Sequence, residues 1–129
     1  GAFPPGPWYE TLAKPEWTPP DWLFGPVWSI LYLFIAIAGW LIWRSQGLGL
    51  ALLLWFVQLG LNAMWTYFMF GEHDISTAMT DISALWLSIA AFMLVSWRVN
   101  RLAVLLFIPY LAWVSFAAAL NFSILQLNG

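Results

Sequence analysis

The sequence predicts an all-α protein, a polytopic bundle of helices within a membrane, and three observations carry that prediction. Hydrophobic residues make up 63% of the 129 and charged residues only 8%, against about 25% charged in a soluble domain. Charge is excluded from four long runs: 23–43, 48–71 and 102–127 contain none, and 75–97 contains one, Asp81. These runs hold 21, 24, 26 and 23 residues respectively, and about 20 suffice to cross the hydrocarbon core as a helix. In lipid every backbone polar group must be satisfied within its own segment, which makes the runs helices. Four spans follow, and the chain is expected in a membrane with lipid around it.

Residues 1–22 precede the first span and read as a Pro/Trp-rich loop. They hold six of the eight prolines (Pro4, Pro5, Pro7, Pro15, Pro19 and Pro20), too many for a helix, and their aromatics, Trp17 and Trp22 among them, set them apart from a polar linker. The sequence opens on Gly1 without an initiator Met or a secretory signal, so the natural protein is expected to begin earlier.

The helices alternate in direction, so position converts to depth at about 1.5 Å per residue. On the side that carries residues 1–22, here the proximal side, the first span places Trp28 roughly 8 Å inside the bundle end, with Tyr32 one turn deeper. The second span returns to that side with Gln58, Asn62 and Trp65 at i, i+4 and i+7, on one face. Asp81 enters a turn and a half inside the third. In the fourth, Tyr110, Trp113, Ala117 and Asn121 share a face, with Asn121 at the proximal end. Each span thus offers a polar or large aromatic group to the proximal half, beneath the loop.

Eleven tryptophans occur in the chain. Such residues gather at membrane interfaces, but Trp86 and Trp113 fall near the middle of their runs. A carboxylate and carboxamides inside a membrane face the bundle interior. Taken singly, Gln58, Asn62 and Asn121 read as interhelical glue. Asp81 reads equally as a partner for a backbone N–H or indole and as a ligand contact, and each buried aromatic singly reads as packing. Jointly, the pattern describes a Trp-lined cavity for a large, flat, apolar ligand.

Other features exclude function classes. There is no cysteine, hence no disulfide or thiolate chemistry. His73 between Glu72 and Asp74 is too short a cluster to wrap a metal ion and reads as a solvated turn; no metal is expected. Asn121-Phe122-Ser123 matches a glycosylation sequon inside a span, where it cannot serve. Gly47 to Ala51, small at both ends, allows either a close protomer approach or a plain turn. No phosphate loop, Ser/His/Asp set or basic nucleic-acid patch occurs, and no nucleic acid is expected as a partner. Arg44, Arg98 and Arg101 lie distally, opposite Lys14, Glu72 and Asp74, so the distal side is expected to face the cytoplasm.

Ordered motifs run through nearly the whole chain: Trp8-Tyr9-x-x-Leu12-x-Lys14-Pro15-x-Trp17-x-Pro19-Pro20, Gly25-Pro26-Val27-Trp28-x-x-Leu31-Tyr32, Gln58-Leu59-x-Leu61-Asn62-x-x-Trp65, Pro109-Tyr110-Leu111-Ala112-Trp113 and Leu120-Asn121. In these the chain resembles the translocator protein family, also called tryptophan-rich sensory protein or peripheral-type benzodiazepine receptor. The resemblance implies a five-helix fold of which this chain lacks the first helix. It also implies a homodimer, and a cavity binding porphyrins, sterol-like lipids and benzodiazepine-site compounds without a required cofactor. By motif position Trp28, Asn62, Trp65, Trp113 and Ala117 correspond to cavity residues, and Trp17 and Trp22 to the covering loop. The C-terminal cholesterol motif of animal members is broken: Phe122 stands in place of its Tyr and Gln126 in place of its basic residue, which argues against cholesterol and for a bacterial source.

Three functions are therefore expected in order. The first is a receptor or carrier for protoporphyrin-like tetrapyrroles with a sensory role; with His73 the only histidine, and in a loop, a metal-free porphyrin suits the cavity better than haem. The second, implied by bacterial relatives, is an enzyme degrading porphyrin in light through Trp28 and Trp113. The third is a small proton-coupled exporter, motivated by Asp81 alone.

Overall fold

A computed structural model of the chain describes residues 21–71 and 74–128. Among these, four helices are long and apolar enough to cross a membrane, and no strand is present. They are α1 (Asp21–Gln46), α2 (Leu50–Thr66), α3 (Ile75–Ser96) and α4 (Arg101–Asn128). A π-helical turn, Tyr67–Gly71, extends α2 at its proximal end. The protein is an integral membrane helical bundle. Each helix replaces one of the predicted spans, shifted by a few residues at its ends; α1 begins at Asp21, so the backbone of Trp22 is already helical. Trp17 and the rest of the expected loop, like His73, lie outside the described residues.

The connections are short because their residues are suited to stopping helices. Gly47 adopts φ 76°, a left-handed conformation open to glycine at little cost, and its N–H closes on the Trp43 carbonyl at 2.8 Å. Residues 47–49 are thus the turn between α1 and α2, and Ala51, in the first turn of α2, is buried within the chain. Asp74 caps α3: its carboxylate accepts from the Thr77 backbone N–H at 3.0 Å and hydroxyl at 2.7 Å. Asn100 opens α4, accepting from the Ala103 N–H at 3.2 Å, and donates to the Ser45 hydroxyl at 3.1 Å, tying the distal ends of α1 and α4 together.

Around the bundle the order of extensive contacts is α1, α4, α3, α2, while α1 and α2 touch sparingly. The distal part of this loose α1/α2 seam holds an apolar groove of about 380 Å³ lined by Ala36, Gly39, Trp40, Trp43, Leu48, Leu52, Trp55 and Phe56. Gly39 admits the Trp55 indole, whose N–H donates to the Ile35 carbonyl at 2.8 Å. Between α3 and α4 the Phe92 and Phe107 rings sit 4.3 Å apart beside Ile82, Leu85 and Ile89. Lipid is as apolar as these side chains, so such interlocking, rather than escape from water, holds the helices together.

Candidate functional site

Trp28 stands at the centre of the proximal half. Half-buried on the second turn of α1, it is within 5.5 Å of Tyr32, 6.3 Å of Trp65, 6.4 Å of Tyr110 and 6.3 Å of Trp113, ring centre to ring centre. The geometry mixes a stacked pair (Tyr32, 29°) with edge-on pairs (Tyr110, 72°; Trp113, 87°), the arrangements that ring quadrupoles favour. Three helices supply these five rings, and Phe116 extends the wall at 5.6 Å from Trp113.

Beneath the rings runs an ordered chain of hydrogen bonds. The Tyr32 hydroxyl donates to Asn62 Oδ1 at 2.9 Å; Asn62 Nδ2 donates to the Tyr110 hydroxyl at 2.8 Å. That hydroxyl donates to Gln58 Oε1 at 2.8 Å, and Gln58 Nε2 ends the chain on the Trp55 carbonyl at 2.7 Å. Every group gives and takes in the sense its chemistry allows, and the donor-to-acceptor direction is fixed from Tyr32 to Trp55. A second link lies nearer the proximal end, where the Trp65 indole N–H donates to Asn121 Oδ1 at 3.0 Å and Asn121 Nδ2 donates to the Ile75 carbonyl at 3.2 Å.

The helix faces explain the convergence. On α2, Gln58, Asn62 and Trp65 are all buried, as the i, i+4, i+7 spacing requires of one face. On α4, Tyr110, Ala117 and Asn121 are buried and Trp113 is half-buried. The carboxamides of Gln58, Asn62 and Asn121 serve as interhelical links, the reading each residue supports singly, and they frame the aromatic cluster at the same time. Asn121 is committed to Trp65 and Ile75 and is closed to glycosylation.

One residue departs from expectation and one keeps its two readings. Trp86 turns outward, 37% exposed, and satisfies its indole through the Ser115 hydroxyl at 2.8 Å; it belongs to the lipid-facing side of α3 and α4, not to the lining. Asp81 is buried on α3 and its Oδ2 has no hydrogen-bond partner among the described residues; of its two alternatives, a backbone or indole partner is not seen there and a ligand contact stays open. One contributor escaped the sequence reading. Trp55 accepts from Gln58 and props α2 against α1, and its place at i−3 from Gln58 on the same face could have revealed it. Among the described residues no group of His, Cys, Asp and Glu could hold a metal ion.

Residues 2–127 match the TspO/MBR family. The chain belongs to the TspO/MBR family. It is 42% identical to protein CrtK of Rhodobacter capsulatus, over 98% of this chain and 81% of that protein. To the tryptophan-rich protein TspO of Chlorobaculum tepidum it is 44% identical, over 96% and 82%. To the human translocator protein it is 35% identical, over 94% and 75%. Within the TspO/MBR family this chain thus aligns with bacterial and animal members alike. The matched span, residues 2–127, contains every residue of the Trp28 cluster.

Proposed function

We propose that the protein is a membrane receptor or carrier that binds porphyrin-like tetrapyrroles, and other flat apolar molecules, in the Trp28 cluster. The observation that carries this is the set of four rings within 6.4 Å of Trp28, drawn from three helices. A macrocycle exchanges those ring–ring contacts for its own stacking at little net loss, since each pair contributes only about 0.5–1.5 kcal/mol. The hydrogen-bonded Asn62 and Asn121 hold the helices in register while the rings separate. Each carboxamide NH₂ carries two hydrogens, of which one is engaged within the bundle; the other could meet a ligand carboxylate once the rings part. The loop with Trp17 and Trp22 would cover the bound molecule. In this reading the protein works as a homodimer that senses or passes on its ligand.

The test is a titration of the detergent-solubilised protein with protoporphyrin in the dark, followed by quenching of tryptophan emission. Saturable quenching that weakens at least tenfold in Trp28→Leu and Trp65→Leu supports the reading; unchanged affinity in both would sink it. A second reading, light-dependent degradation of porphyrin, is favoured by the edge-on contact of Trp28 and Trp113 at 6.3 Å, close enough for an electron to pass between indoles. Illumination of the saturated sample separates the two. A new absorption band that disappears in Trp28→Phe or Trp113→Phe indicates turnover, and a spectrum that stays that of bound porphyrin indicates a receptor. The exporter reading rests on Asp81 and requires porphyrin-dependent proton uptake that Asp81→Asn abolishes.

A further inference from the structure

The distal rim of the bundle is chemically unlike the proximal one. Arg44, Arg98 and Arg101 are exposed there, while the described carboxylates, Asp74 and Asp81, are at or near the proximal end of α3. Two of the three arginines are held by tryptophan one turn earlier in the chain. The Arg44 guanidinium carbon lies 5.2 Å from the centre of the Trp40 ring, and that of Arg101 lies 5.0 Å from the centre of Trp97. Each guanidinium carbon thus lies over an indole ring, and a guanidinium carries a fork of five N–H donors that such a contact does not satisfy as hydrogen bonds. Neither fork has a hydrogen bond or ion pair with a described residue. The Asn100 to Ser45 bond at 3.1 Å fixes the neighbours of both arginines, so the two forks sit on one braced rim. Trp40, Trp43 and Trp97 are themselves exposed, at the level where a bilayer turns from chain to headgroup.

We propose that this rim binds anionic phospholipid, with Arg44 and Arg101 taking headgroup phosphates and Trp40, Trp43 and Trp97 taking the glycerol and upper chain region. A guanidinium fork matches a phosphate in two parallel hydrogen bonds, and exposed indoles beside it select a phosphate that brings chains with it. The site is separate from the Trp28 cluster, at the opposite end of the bundle.

Native mass spectrometry of the detergent-purified chain tests this, with dioleoylphosphatidylglycerol and dioleoylphosphatidylcholine added in competition. One basic residue near an anionic surface is worth about fivefold, so two predict a preference for the glycerol lipid of about thirtyfold. The preference should be lost in the Arg44→Gln/Arg101→Gln variant at unchanged helicity, persist in Arg98→Gln, and shrink for the unaltered protein as salt rises. Equal retention of both lipids, a preference that survives the double substitution, or loss in Arg98→Gln as large as in the double variant would overturn the proposal. So would displacement of the lipid by millimolar inorganic phosphate, which would mark a site for free anions.

Discussion

At the scale of single residues, Tyr110 does more than its place among the aromatics suggests. Its ring contacts Trp28 and Phe107, and its hydroxyl accepts from Asn62 and donates to Gln58, joining α2 to α4 in the bundle interior. Tyr110→Phe keeps the ring and removes both bonds. Interhelical bonds in membranes are worth about 0.6 kcal/mol each, and a carboxamide left without a partner adds to the loss. The expected outcome is destabilisation of about 1–2 kcal/mol, read from unfolding in mixed micelles. Tyr32→Phe removes only the first bond of the chain, and about half that loss is expected. The spacing of Gln58, Asn62 and Tyr110 was legible in the sequence, but the direction of the proton chain was not, because hydroxyls and carboxamides both donate and accept.

At the scale of elements, close approach and capping decide how the helices meet. A Cβ at Gly39 would overlap the Trp55 ring, so Gly39→Leu must push α2 off α1 or expel the indole from the Ile35 carbonyl. Overpacking of this kind costs about 1–3 kcal/mol, and a drop of that size in unfolding free energy, with a red shift of Trp55 emission, is expected. The start of α3 carries a pH signature. The Thr77 hydroxyl and backbone N–H hold the Asp74 carboxyl below its usual range. A depressed carboxylate contributes its cap fully above its unfolded value of about 3.9 and loses it as pH falls through the lower folded value. The Thr77 amide resonance should therefore titrate with a midpoint below about 3.9, and Asp74→Asn should keep the cap while abolishing that titration.

At the scale of the whole molecule, the arginines set orientation. Arg44, Arg98 and Arg101 gather on one rim, and positively charged connections stay in the cytoplasm. Because the chain has no cysteine of its own, single replacements report topology cleanly. Gln46→Cys is expected to react with an impermeant maleimide only after the inner face is opened, and Asp74→Cys is expected to react from outside. The reverse pattern would invert the topology and place the proposed lipid site in the outer leaflet. The same rim and the Trp28 cluster occupy opposite ends of the bundle, so the proposed ligand binding and the proposed lipid anchoring are expected to respond to substitution independently.

Length and charge exclusion alone determined the four spans, since a backbone in lipid has no partner outside its own helix. Helical spacing placed Gln58, Asn62 and Trp65 on one face, because side chains three and four apart share a surface whatever they pack against. The same reasoning could not tell which face of a mid-span tryptophan looks inward. Trp86 and Trp113 are alike in depth, yet one meets lipid with its N–H on Ser115 and the other meets Trp28. Neighbours in the chain were also no guide to neighbours in space: α1 packs against α4 and only sparingly against α2. Those choices belong to the tertiary structure, because they turn on which surfaces interlock, and interlocking depends on side chains distant in sequence.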